Sequence, residues 1–158
     1  MTEYLTLPDG KSNIWITDLK FTRATAERPR NYITLFLTDK VNDSSAKTTM
    51  YDIYLPLKTD TMAAQMAAEI RIKNVCYQVA GFDLNKKTTI RDLLDAMKAN
   101  LEHHNLCAEI EVSHKAGKSL DRDGNQRVFT EINSLRLVSY SDKTAYVSDI
   151  DFFEEVQV

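Results

Sequence analysis

Two kinds of side chain recur together in this chain of 158 residues. Lys20, Arg23, Arg28 and Arg30 surround one stretch, Lys115, Lys118, Arg122 and Arg127 surround another, and Trp15, Tyr32, Phe36, Tyr54 and Phe129 fall within or beside them. Cations can follow a line of phosphates, and flat rings can stack exposed bases at about 1–3 kcal/mol each, so the combination suits a single-stranded nucleic acid. Each type also has an ordinary use. Rings on strands commonly pack across strands or into a core, and loop Lys and Arg commonly keep a surface soluble. Tyr32 and Phe36 have the strongest claim, because they fall on the strand face opposite Ile33, Leu35 and Leu37. Trp15 is expected on the face of Leu19, packed rather than presented.

The end of the chain, "SDIDFFEEVQV", gathers Asp149, Asp151, Glu154 and Glu155 around Phe152 and Phe153. Four carboxylates with two rings can imitate a short polyanion that stacks, so the segment is read as a competitor for a cationic groove or a docking peptide for another protein. The alternative is a last strand or helix that buries Ile150, Phe152 and Phe153, with Val156 and Val158 extending the apolar pattern.

Other chemistry finds little support. His103, His104, Cys107 and His114 lie close in sequence, but their spacing matches no zinc knuckle, so no metal is expected. "DRDGN" lacks the glycine position and the distal glutamate of a calcium loop and reads as a hairpin turn. There is no Gly-rich phosphate loop, nucleophile elbow or HExxH, and no pair of carboxylates stands out for acid–base work. No cofactor is implied, and an enzyme is not expected.

Composition sets the frame. The length suits one domain, and 43% hydrophobic residues with only four Gly and three Pro allow a substantial core. Two cysteines, Cys76 and Cys107, are too few for a disulfide framework; both are read as small core residues in a reducing compartment. No apolar run is long enough to span a bilayer, and the first residues lack the order of a secretion signal, so a cytoplasmic location is expected. The net charge of −3 hides an asymmetry. Residues 141–158 carry one Lys against five acids, which leaves 1–140 with 19 bases and 18 acids. Any basic face must therefore be local.

The elements that would position these groups follow from periodicity. Strands are expected at 14–21, 32–39 and 48–57, separated by a polar, Arg-rich loop and by the Asn/Asp/Ser-rich 40–47. A helix is expected over 61–80, repeating Met62, Met66 and Ile70 and stopping at Gly81. A second follows at 88–104, capped by Thr89, with Asp92 in its first turn and a stripe of Ile90, Leu93, Leu94, Met97 and Leu101. Two more strands span 107–115 and 127–140, the latter slipping phase near Asn133 and Ser134 as at a bulge.

The order β-β-β-α-α-β-β, mainly β with a helical insertion, is that of an oligonucleotide/oligosaccharide-binding barrel, the OB-fold, and the layout resembles phage single-stranded-DNA-binding proteins with an acidic, aromatic C-terminal tail. The resemblance covers roughly 14–158 as a pattern of elements, with no motif matched letter for letter. It implies an OB-like nucleic-acid-binding domain over 1–140, an acidic tail over 141–158, and sequence-independent binding of single-stranded DNA in replication, recombination or repair. It also implies tail contacts with replication or recombination proteins and leaves room for homo-oligomers. The competing expectation is a phage-encoded protein-binding module, an inhibitor of a host nuclease, or a self-assembling structural component.

Overall fold

A computed structural model describes residues 10–39, 48–120, 122–137 and 150–153, without the side chains of 115–120 and 126–130. Five strands form one curled antiparallel sheet, a half-barrel: β1 (Gly10–Thr22), β2 (Tyr32–Thr38), β3 (Thr48–Tyr54), β5 (Leu106–Leu120) and β6 (Gln126–Leu137), in the order β3-β2-β1-β5-β6. Between β3 and β5 lie the helices and a two-residue strand, β4 (Thr88–Thr89), which pairs in parallel with β7 (Ile150–Asp151). β7 is in part the expected alternative of a last strand that buries Ile150, whereas β4, two residues long, is too short for any periodic signal.

Alternation sends one side of each strand inward. Ile33, Leu35 and Leu37 of β2, Ile53 of β3, and Ala108, Ile110 and Val112 of β5 are all buried. On β1 the inward set is Ile14, Ile16, Leu19 and Phe21, which changes phase midway. The register explains it: Ile16 faces Leu37 and Asp18 faces Phe36, so Thr17 is an extra residue, a β-bulge. Its hydroxyl donates to the Phe36 carbonyl at 3.3 Å. The bulge corrects the expectation for Trp15, which does not share a face with Leu19. It stands on the outer face opposite Cys107, and Cys107 is therefore half-buried there instead of being a core residue. Cys76 is a core residue, and burial pushes its thiol up to about 12. A second slip lies where the sequence suggests: Glu111 faces Ser134 and Val112 faces Ile132, leaving Asn133 over.

Thr61 caps the first helix, its hydroxyl accepting from Ala64 N. The helix runs as α1 (Met62–Ile72), a π-helical segment (Lys73–Tyr77) and α2 (Gln78–Ala80), and Gly81 stops it with a φ of 75°. The Met62, Met66, Ile70 repeat does not form the buried side. Met62 is exposed, whereas Ala68, Glu69 and Ile72 of α1 turn inward, followed by Val75 and Cys76 of the π segment and Val79 of α2. α3 (Ile90–His103) begins at Thr89, whose hydroxyl accepts from Asp92 N, and buries the stripe expected from sequence. Asn100 Nδ2 donates to the Val79 carbonyl at 2.7 Å and ties the helices together. Among the described residues no helix is long and apolar enough to cross a membrane.

The C-terminal arm is fixed through Ile150, the pairing of Asp151 with Thr89, and Phe152, which packs half-buried against the core. Ile150 joins the core, and its N–H donates to Oε1 of the fully buried Glu69 at 3.1 Å. The sequence gives no hint of this contact, since Glu69 sits among alanines in what looks like an exposed helical stretch.

The two faces of the sheet make a stability contrast. Leu35→Ala is expected to cost about 2–5 kcal/mol by emptying part of the core. Tyr54→Ala, on the outer face, should cost about 1 kcal/mol or less. Urea denaturation of both variants checks the assignment; equal losses contradict it.

Candidate functional site

The outer face of β2 and β3 is built in rows fixed by register. Tyr32 lies opposite Tyr54, Thr34 opposite Asp52, and Phe36 opposite Met50. The next strand adds Thr22, Lys20 and Asp18 to the same rows. No helix covers Tyr54 or Met50, which remain 38% and 51% exposed, whereas Tyr32 and Phe36 are half-buried between neighbours.

The centre of this face is a stack of three groups. The Tyr32 and Tyr54 rings lie 5.5 Å apart, tilted by 44°, and the Arg28 guanidinium sits over Tyr32 at 4.9 Å. Asp52 steadies both sides of the arrangement. Its Oδ2 lies 3.5 Å from Arg28 Nη1, and its Oδ1 accepts from the Thr34 hydroxyl at 2.6 Å. Hydrogen bonding to Tyr32, followed by the charge interactions of Tyr54 and Tyr32, pushes the Arg28 pKa further up, so a permanent cation is presented beside two rings.

Loop 23–31 holds Arg28 in this position through contacts the sequence does not advertise. Arg30 makes a bidentate pair with Asp60, at 2.6 and 2.8 Å, and Asp60 also accepts from Leu57 N at 2.9 Å. Asn31 completes the joint: its Oδ1 accepts from Ala24 N and its carbonyl accepts from Leu55 N. Arg30, a phosphate candidate from sequence, is thus engaged in closing the β1–β2 loop onto the segment after β3. The Arg30 hydrogen bond, with that of Leu57 N, holds the Asp60 carboxyl down at about 2.

Beside this joint lies a cleft of 580 Å³. Phe21, Arg23, Ala24 and Asn31 form its lining from β1 and the loop, and Pro56, Leu57, Lys58 and Thr59 from the chain after β3. The C-terminal arm contributes Phe152 and Phe153. These rings lie 6.3 Å apart, and Lys58 Nζ sits 5.5 Å from the centre of the Phe153 ring. Asp151 is exposed and accepts from Phe153 N at 3.0 Å, which shapes the arm's turn.

The structure brings Arg28, Tyr32, Phe36, Tyr54 and Lys20 to one face, and Arg23, Phe152 and Phe153 to the adjoining cleft. The second basic group belongs to the long β5–β6 hairpin. Arg122 is exposed in its turn, closed by Gly124 at φ 80°, and Lys115 pairs in register with Phe129. The side chains of Lys115, Lys118, Arg127 and Phe129 lie outside the described part of the structure, as do Asp149, Glu154 and Glu155 altogether. Sequence reasoning missed Asn31, Asp52, Lys58 and Asp60. Their signal was weak, since Asn31, Lys58 and Asp60 are ordinary polar residues of loops and turns and Asp52 is one polar residue on the outward row of β3.

The Arg30–Asp60 pair carries a pH signature. Asp60 has a folded pKa below its ordinary value of 3.8, so its contribution is complete above 3.8 and is lost as pH falls through about 2. Asp60→Asn should therefore lower the melting temperature at neutral pH, with the gap to wild type closing as pH approaches about 2. A gap independent of pH contradicts the pairing.

No protein family, curated protein or solved structure was found to match this chain.

Proposed function

We propose that this chain binds single-stranded DNA without sequence preference, in phage DNA replication, recombination or repair, by stacking bases across the outer face of β2 and β3. The observation that carries the reading is the Arg28–Tyr32–Tyr54 stack: two adjacent rings on an uncovered sheet face, with a cation fixed over one of them. Rings supply base stacking that any sequence can use, and Arg28 and Lys20 supply charge for the phosphates.

The architecture supports the same reading. A curled five-stranded sheet with helices between its third and fourth long strands is compatible with an OB-like barrel. In that fold, oligonucleotides bind on the face of strands 2 and 3, flanked by the loops after strands 1 and 4. Here these are the Tyr32/Tyr54 face, loop 23–31 with Arg23 and Arg28, and the β5–β6 turn with Arg122. Lys115, Lys118, Arg127 and Phe129 lie on the hairpin that leads to that turn. The tail over 141–158 serves as a docking peptide for replication proteins or, through its carboxylates, as an acidic competitor, while Phe153 stays beside the loop against Lys58.

Fluorescence anisotropy with labelled dT oligomers tests the proposal. Tyr32→Ala and Tyr54→Ala should each weaken binding by about 1–3 kcal/mol, roughly 5- to 150-fold. Arg28→Glu should weaken it and flatten its dependence on salt, because fewer counterions are released. Asp151→Asn combined with Glu154→Gln and Glu155→Gln should tighten it, since the competing charge is gone. Unchanged affinity in the Tyr and Arg variants contradicts the site. A wild-type affinity insensitive to salt contradicts the function and favours a protein interface.

A further inference from the structure

We infer that the cleft between loop 23–31 and the segment after β3 is a subsite for the terminal nucleotide of a single strand, with the base on Phe153 and the phosphate on Lys58 and Arg23. The inference deepens the proposed function and rests on it. The cleft is separate from the Tyr32/Tyr54 face but shares a wall with it, because loop 23–31 sends Arg28 to the face and Arg23 to the cleft. A strand leaving the face therefore has a continuous route past one loop.

The chemistry of the cleft is that of a nucleotide. Its 580 Å³ lies within the range of about 300–1,000 Å³ typical of small-molecule sites. Phe21, Pro56 and Leu57 give it an apolar side. Phe153 offers a ring that is 41% exposed. Lys58, now over that ring, needs only to swing its flexible stem to meet a phosphate carried by a base stacked there. Asn31 spends its Oδ1 on Ala24 N and so offers its Nδ2 hydrogens to a base carbonyl, which pyrimidines such as thymine present.

The arm is suited to respond to an occupant. It is anchored by Ile150, through the core, the pairing with β4 and the bond to Glu69, only a few residues before the exposed ring. Phe153 can thus adjust to a base without the arm being released.

Calorimetric titration of the full chain with dTMP, deoxythymidine and inorganic phosphate tests the subsite. dTMP should bind saturably and more tightly than either half. Phe153→Ala and Lys58→Ala should each weaken it at least about fivefold, and Tyr32→Ala should leave it unchanged while weakening dT oligomers. Absence of saturable dTMP binding, equal binding by Phe153→Ala, or inorganic phosphate binding as tightly as dTMP overturns the inference. If dT oligomers bind through Tyr32 while dTMP does not bind, the cleft assignment alone falls. If dTMP titrates as described while oligomers fail to bind, the cleft stands as a mononucleotide site and the strand-binding function falls.

Discussion

The two-residue period of the sheet is the constraint on which this molecule depends. Once Ile33, Leu35, Leu37 and Ile53 are committed to the core, Tyr32, Phe36 and Tyr54 have nowhere to go but the opposite face. A slip of one residue in the pairing of β2 would exchange the two sets and destroy both core and site. The bulge at Thr17 protects the register from the other side. β1 is thirteen residues long and must feed the same core at both ends, and one extra residue lets it change phase where the sheet curls.

Positioning then passes from the sheet to its loops. A stack of exposed rings alone would be adaptable but imprecise. The Arg30–Asp60 pair and the Asn31 bonds hold loop 23–31 down, and Asp52 fixes Arg28 over Tyr32 from the strand side. Two arginines that look alike in sequence therefore have different roles. Arg30 shapes the loop, and Arg28 is presented by it. The C-terminal arm is likewise divided, with Ile150 structural and Phe153 displayed.

Much of this was legible in the sequence wherever a periodic pattern ran long enough. The alternation of 32–38 sorted Tyr32 and Phe36 from the core residues, and the stripe and cap of α3 were read residue by residue. The slip at Asn133 was legible because two polar residues interrupt an apolar run. Trp15 was misplaced because a bulge at Thr17 leaves no compositional trace: threonine suits a strand in or out of register. The buried side of α1 was misread because its inward row, Ala68, Glu69 and Ile72, contains an alanine and a glutamate that carry little apolar signal beside the methionine repeat. Glu69, Asp52 and Asp60 were invisible because their importance comes from partners 18 to 81 residues away. Periodicity speaks of faces, and long-range polar pairing has no period.

The proposed function requires that bases lie on the Tyr32/Tyr54 face. Photo-crosslinking with an oligothymidine carrying iododeoxyuridine, followed by mass spectrometry of the peptides, tests this directly, because the excited base couples to the ring against which it stacks. Adducts are expected at Tyr32, Phe36 or Tyr54. Adducts confined to the helices, or none despite binding, would contradict it.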